Sequence, residues 1–268
     1  MKNLILTGST SGLGSEIFQQ LITAEYNLIL ISKNKKKLIR QQKDNKDKTN
    51  SKIHIYHCDL SNLSSVKSII TKILKKFKYI DILINNAGLW GPIGKFDSNK
   101  WDKWIEAINI NLLSSVFLIK SVLPGMKKRK KGKIIQLSGG GATKAMPNFS
   151  SYSVSKTGIV RFIETIAKEN EKYNIKINSL APGAMNTKML KTALKAGKKN
   201  VGEDYKNLIK QKKNGGAGFE KALRLIKFLL EDNKINGRLI SAIWDKYEGK
   251  YFQKKLNDKS NFTLERKV

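Results

Sequence analysis

Short apolar runs alternate with longer amphipathic stretches along most of this chain of 268 residues. Runs at 3–7, 27–32, 52–57, 80–85, 132–138, 175–180 and 239–242 predict strands. Between most of them, apolar positions recur at helical spacing, as in 13–24, 63–77, 101–123 and 152–173. Strand–helix alternation of this kind predicts βαβ units and a parallel sheet covered on both faces. The reading is a single doubly wound α/β domain over 1–268 with a seven-stranded parallel sheet. The polar stretch 34–51 fits a helix and a turn. A Lys-, Asn- and Gly-rich interruption at 191–218 predicts an irregular segment, a candidate substrate loop at about 190–218. A C-terminal extension follows from about 246.

The first strand runs into Thr7-Gly8-Ser9-Thr10-Ser11-Gly12-Leu13-Gly14 and then a helix. Gly8 permits a tight turn, Gly12 lets the backbone approach a pyrophosphate, and Gly14 lets the helix pack on the sheet. Free N–H groups at the start of that helix favour an anion, so the turn, including Ser11 and Leu13, predicts a dinucleotide site of the Rossmann type. The second strand ends at Ser32-Lys33, where dinucleotide folds carry an acid for the ribose hydroxyls. A hydroxyl and a cation there favour NADP, with NAD as the alternative.

Tyr152 and Lys156 lie four apart, on one helix face. An ammonium beside a phenol stabilises the phenolate and lowers its pKa toward the range useful for proton transfer.

Together these segments resemble the short-chain dehydrogenase/reductase family from about residue 3 to 245. The carriers are the glycine turn, Asn85-Asn86-Ala87-Gly88, Tyr152-Ser153-Val154-Ser155-Lys156 and Ala181-Pro182-Gly183. The resemblance implies that Asp59 and Leu60 contact the adenine, with Asp59 also suited to capping the next helix. It implies that Asn86, Ala87 and Gly88 line the nicotinamide ribose, and that Pro182, Gly183 and Thr187 hold the nicotinamide. Asn111 matches the Asn that supports the catalytic Lys through water, and Asn109 reads as structural. Tyr152 would transfer the proton, and Lys156 would also bind the ribose.

One element departs from the pattern. The family places a Ser thirteen residues before the Tyr, and position 139 is Gly. Ser138 stands one place earlier. Ser138 could reach in, the backbone N–H groups of Gly139–Gly141 could serve as the anion site, or the reaction could be lost and the cofactor kept. The glycines also suggest room for a bulky or hydroxylated substrate. The expected function is hydride transfer between NADP(H) and a secondary alcohol or ketone, with a sugar or polyol derivative as one substrate form, tied to carbohydrate biosynthesis. The alternatives are a 3-ketoacyl-type carbonyl reductase and a non-catalytic cofactor-binding sensor. Trp90, Phe149 and the 191–218 segment are candidate pocket walls, although Trp and Phe are more often simply core.

The net charge of +31 raises nucleic acid or an anionic membrane as partners. The excess is almost all Lys, spread along the chain, whereas Arg stands only at 40, 129, 161, 224, 238 and 266. Arg is the residue of bidentate phosphate and base recognition, so the reading is solvated lysine faces and no specific nucleic acid. No stretch approaches the roughly 18 apolar residues of a membrane span, so no membrane is expected. Cys58 is the sole cysteine; with no secretory signal, it suits a reducing cytoplasm and a core position. His54 and His57 lack a ligand cluster, so no metal is expected. The resemblance implies a homodimer or homotetramer through the helices containing Asn111 and Tyr152.

Overall fold

A computed structural model describes residues 1–258 and 260–265, so part of the C-terminal extension (259 and 266–268) lies outside the described residues. Seven parallel strands stand in the order β3-β2-β1-β4-β5-β6-β7. They are β1 (Lys2–Thr7), β2 (Tyr26–Ser32), β3 (Lys52–His57), β4 (Ile82–Asn85), β5 (Gly132–Leu137), β6 (Ile175–Ala181) and β7 (Leu239–Ser241). β1 pairs with β2 on one side and β4 on the other. Strand order therefore reverses between β1 and β4, and a crevice opens at their carboxyl ends.

Alternation along each strand builds two cores. Leu4, Leu6, Leu28, Leu30, Ile82 and Ile84 pack on one face with helices α1 (Leu13–Leu21), α2 (Lys35–Asn45) and α9 (Glu220–Glu231). Ile5, Ile29, Ile31, Leu83 and Ile134 pack on the other with α3 (Leu63–Phe77), α5 (Ser114–Arg129) and α6 (Ser150–Glu169). Strands buried on both faces need near-continuous Ile and Leu, which is the composition these have. The C-terminal segment carries α10 (Lys250–Leu256), which buries Phe252 on the first core. Beyond it, the Phe262 carbonyl accepts from the Leu239 N–H of β7 at 2.7 Å.

The helix expected over 101–123 runs instead as α4 (Trp101–Ile108), a π-turn (Asn109–Leu113) and α5. The expected strand at 80 begins at Ile82. The segment 191–218 is not irregular. It holds most of α7 (Lys188–Val201) and all of α8 (Tyr205–Asn214), separated near Gly202, with a further break at Gly197. A correction also applies to the membrane reading. The continuous run Trp101–Arg129, 29 residues long, is apolar enough by length and composition to cross a bilayer. In this fold its Leu118, Ile119, Val122 and Met126 are buried in the second core. A helix pressed between a sheet and its neighbours has that same composition.

Candidate active site

The crevice is stitched together by Thr7, the last residue of β1. Its Oγ1 accepts from the N–H groups of Asn86 (3.0 Å) and Ala87 (3.1 Å). Asn86 Nδ2 in turn donates to the Thr7 carbonyl at 3.0 Å and the Gly8 carbonyl at 3.3 Å. The glycine turn and the Asn-Asn-Ala-Gly segment thus meet across the switch point. Gly8 has φ +68°, and a β-carbon on Gly14 would stand 2.0 Å from the Gly8 carbonyl oxygen. Helix α1 can approach the turn this closely only because Gly14 has no side chain. Gly12 is the N-cap of α1 and supplies no side-chain cap, so the helix opens with uncapped N–H groups at its positive end. That fits a pyrophosphate. Thr187 comes from the far side of the crevice, within 3.3 Å of where a Gly12 β-carbon would lie.

At the carboxyl end of β2, Ser32 is buried and its hydroxyl shares a 2.7 Å hydrogen bond with Thr10. Lys33 is exposed beside it. Asn34 caps α2, accepting from the Lys37 N–H at 3.0 Å. The first turn of α2 carries Lys35, Lys36 and Lys37 and no acid. Like charge at the positive end of a helix is unfavourable on its own, and the arrangement is open to an anion. Asp59 accepts from the Ser61 N–H and hydroxyl, and Asn62, not Asp59, caps α3. Partial burial works to raise Asp59, but the Ser61 hydrogen bonds and the charges of Lys33 and His57 hold it below the ordinary carboxylate value. Leu60 is buried in the second core. Cys58 is also buried, and desolvation followed by the Asp59 charge pushes its thiol up to about 11, an unreactive state.

Tyr152 and Lys156 share one face of α6, only 6% and 3% exposed. Lys156 Nζ donates to the Leu137 carbonyl at 2.9 Å and lies 5.7 Å from the centre of the Tyr152 ring. Burial lowers Lys156 to about 8. Burial also raises Tyr152 above the ordinary phenol value. The phenol therefore stays protonated through the neutral range.

Asn111 sits in the π-turn, fully buried. Its Oδ1 accepts from the Leu89 N–H at 2.9 Å, and its Nδ2 donates to the Leu89 carbonyl (2.9 Å) and to Ser155 Oγ (3.0 Å). Ser155 Oγ donates onward to the Tyr152 carbonyl at 2.8 Å. Gly88 lies between the two functional groups, since a β-carbon there would be 3.3 Å from Asn111 Oδ1 and 3.5 Å from Lys156 Nζ. Asn109 donates to the Ser61 carbonyl, a contact between loop and helix. Across the site, Gly183 has φ +88° and a β-carbon on it would lie 2.5 Å from Ile243 Cγ1. This brings the Pro182-Gly183 turn, just after β6, against the segment that follows β7.

The region of Ser138 differs from expectation. Ser138 is buried and its Oγ makes no hydrogen bond. A β-carbon on Gly139 would stand 2.0 Å from the Tyr152 hydroxyl, and one on Gly141 would lie 2.9 Å from Tyr152 Cδ1. The space that Gly139 and Gly141 create is filled by Tyr152 itself, whereas at Gly140 the nearest atom to a β-carbon would be Lys144 Cε at 3.9 Å.

Sequence reasoning gave no definite role to Trp90 and none to Ser155 or Thr7. The Trp90 ring lies 4.4 Å from Tyr152, centre to centre, and 5.0 Å from Phe149. Its Nε1 donates to the Met189 carbonyl of α7 at 2.8 Å. The available signal was its place two residues after Gly88. With Phe149, Tyr152, Ala193 and Val201 it belongs to a third apolar cluster beneath α7 and α8. Two clefts of about 530 and 380 Å³ lie at the opposite, amino end of the sheet, around Lys2, Asp81 and Lys131, away from all these groups.

A dinucleotide crevice at a switch point, with a buried Tyr–Lys pair on the helix beside it, defines an NAD(P)-dependent oxidoreductase. The sequence pattern of short chain dehydrogenases matches residues 2–197, and the chain belongs to the short-chain dehydrogenase/reductase family. It is 31% identical over 238 residues to the "Dehydrogenase/reductase SDR family protein 7-like" of Anopheles gambiae, covering 87% of this chain and 73% of that one. It is 32% identical over 186 residues to the human "Inactive hydroxysteroid dehydrogenase-like protein 1", covering 69% of this chain and 56% of that one. The chain thus spans little more than half of the human relative's length. The fold matches L-sorbose reductase from Gluconobacter frateurii, solved with NADPH and L-sorbose, at a TM-score of 0.78 and 24% identity, covering 90% and 94% of the two chains.

Proposed function

We propose that this chain exchanges hydride between NADP(H) and a secondary alcohol or ketone, with Tyr152 as the proton-transfer group. The observation that carries this reading is the burial of Tyr152 and Lys156 side by side, against the crevice edge formed by Gly88 and Asn111. Backbone groups of Gly8, Ser11, Gly12, Leu13 and Gly14 would hold the pyrophosphate. Ser32 and Lys33 would meet a 2′-phosphate, and Asp59 and Leu60 the adenine. Asn86, Ala87, Gly88 and Lys156 would line the nicotinamide ribose, and Pro182, Gly183 and Thr187 the nicotinamide. When bound, the dinucleotide supplies or accepts the hydride.

The protein's own part is the proton. A raised phenol at Tyr152 is protonated near neutrality, the form that donates to a carbonyl oxygen as it gains negative charge. Lys156, ammonium at and below its lowered pKa, stabilises the phenolate left behind. Asn111 fixes the Leu89 backbone and, through Ser155, the helical turn that carries Tyr152. Gly139 offers no hydroxyl, so Ser138 Oγ, buried and unbonded, is the remaining side-chain candidate to orient the carbonyl. The exposed Leu113 and Val154, on the helical run containing Asn111 and on α6, support assembly of copies through that face. A lone, unreactive thiol suits a cytoplasmic setting. For the sugar or polyol form of the reading, any room the glycines give lies on the Gly140 side, because Tyr152 takes the space at Gly139 and Gly141.

The test is initial rates of NADPH and NADH oxidation against ketones, ketoacyl thioesters and keto-sugars. Turnover that prefers NADPH and disappears in Tyr152→Phe, with NADPH binding retained, is expected. Retained turnover in Tyr152→Phe would sink the mechanism. NADPH binding with no turnover anywhere would favour the sensor.

A further inference from the structure

We infer that the carbonyl compound taken by this site is apolar and carries a bulky ring next to the reacting carbon, and that Trp90 is the residue that selects it. The inference rests on the hydride-transfer reading above and names its substrate class.

Tyr152 belongs to neither of the two cores that flank the sheet. It lies in the third cluster, with Phe149 at its centre and Trp90, Met146, Met189, Tyr205 and Leu208 packed around. These side chains come from the loops after β4 and β5 and from α7 and α8, the elements that overhang the carboxyl edge. A substrate oxygen that reaches the Tyr152 hydroxyl must place the rest of its molecule among them. Trp90 is tilted 60° to Tyr152 and 58° to Phe149, so the three rings form a wedge and not a stack. At 4.4 and 5.0 Å, Trp90 is in contact with both other rings, and together they form an apolar aromatic surface on which a further ring can pack.

Several polar groups bordering this cluster are already engaged within the protein. Trp90 Nε1 donates to the Met189 carbonyl, and Ser151 Oγ donates to the Trp90 carbonyl at 3.2 Å. Asn148 Nδ2 donates to the Val201 carbonyl at 3.2 Å, and Trp104 Nε1 donates to Ser150 Oγ at 3.0 Å. A polyhydroxylated substrate would have to bury several hydroxyls with these partners occupied, and each uncompensated hydroxyl is costly. An apolar ring asks for none of them.

α7 packs on this cluster through Met189, Ala193 and Ala196. Trp90 is tied to the first turn of this helix through Met189, and the helix breaks at Gly197, where φ is +80° and nothing lies within 4 Å of a would-be β-carbon. Gly202, at φ +78°, ends it.

The experiment compares kcat/KM with NADPH for 1-decalone, 2-butanone and L-sorbose in the wild type, Trp90→Phe and Trp90→Ala. Decalone is expected to exceed sorbose by at least about 100-fold, the scale on which an apolar pocket disfavours an added hydroxyl. Trp90→Ala is expected to lower the decalone-to-butanone ratio at least about tenfold, chiefly through KM, and Trp90→Phe to restore part of it. NADPH affinity, measured separately, checks that each variant is folded. A preference for sorbose, or a decalone-to-butanone ratio unmoved in Trp90→Ala, overturns the inference. If no carbonyl compound turns over, the hydride reading fails, and the inference is then decided by calorimetry on the NADPH complex. Decalone binding tighter than sorbose upholds the apolar site, and sorbose binding tighter overturns it.

Discussion

The hydroxyl of Tyr152 lies where a side chain at residue 139 would begin, 2.0 Å from the β-carbon position of Gly139. The ring cannot easily retreat, because Trp90 lies against it on one side and Gly141 on another. Gly139→Ala must therefore push the phenol out of place. We expect a loss of about 1–3 kcal/mol in stability from overpacking. A fall in kcat of about 100-fold should accompany it, the usual scale for an ångström of misplacement. Gly140→Ala is the control: the nearest atom to its β-carbon would be Lys144 Cε at 3.9 Å, an ordinary contact. It should stay within about 0.5 kcal/mol of the wild type. Thermal melts and steady-state rates on the two variants decide the matter, and equal behaviour would contradict it.

Gly14 makes a sharper demand, because its obstacle is backbone. A methyl group there meets the Gly8 carbonyl at 2.0 Å and Asn86 Nδ2 at 2.5 Å. Gly14→Ala should lift α1 off the turn, cost about 3 kcal/mol and weaken NADPH binding more than tenfold. Fluorescence titration with NADPH reads the second effect; unchanged affinity would remove the glycine turn from the cofactor site.

Lys156 sets a pH dependence. Its folded pKa of about 8 lies below the ordinary 10.5. Between those values the unfolded chain still holds a proton that the folded chain has released. The unfolded state binds more protons, so this group's contribution to stability rises with pH across the window. The burial penalty is full below pH 8. In Lys156→Met that penalty is absent. The variant's stability relative to wild type should be greatest at pH 7 and shrink toward pH 10. Melting temperatures of both proteins across that range test it, and a constant difference would show that Lys156 is not depressed.

Lys33 should govern the choice of dinucleotide. It stands exposed at the end of β2, with no acid in the first turn of the helix that follows. Lys33→Glu places a negative charge where a 2′-phosphate is expected. NADPH affinity should fall at least tenfold, in line with the roughly 1.5–3 kcal/mol of a hydrogen bond to a charged group. NADH should be affected much less. The ratio of KM values for the two cofactors is the readout, and an unchanged ratio would move the phosphate site elsewhere.

The sheet and the glycine turn were legible because their signals are local. Buried strands require unbroken Ile and Leu, and the glycine turn bends within a few residues, with Gly8 at φ +68° and Gly12 at φ +53°. Tyr152 and Lys156 were legible because four residues along a helix is one face. The α7–α8 segment was not, because few of its positions are buried (Leu190, Ala193 and Val201) and Gly197 interrupts the period. Its helices are held by packing on Trp90 and Phe149, which local propensity does not report. Asp59 read as suited to capping the next helix, and the backbone path gives that place to Asn62. The consequence of Gly139 depended on where a ring thirteen residues away came to rest, which spacing along the chain does not reveal.

The π-turn at Asn109–Leu113 makes Asn111 a matter of helical phase as much as of residue type. Such a turn holds one residue more than the α-helix around it. Losing one residue there would let α4 and α5 fuse into a single regular helix, with their apolar faces still able to find the sheet. It would also rotate the position of Asn111 by about 100°, away from Leu89 and Ser155. A chain with nearly the same letters but one fewer in this turn could fold as this one does and leave the residue at the place of Tyr152 without its clamp.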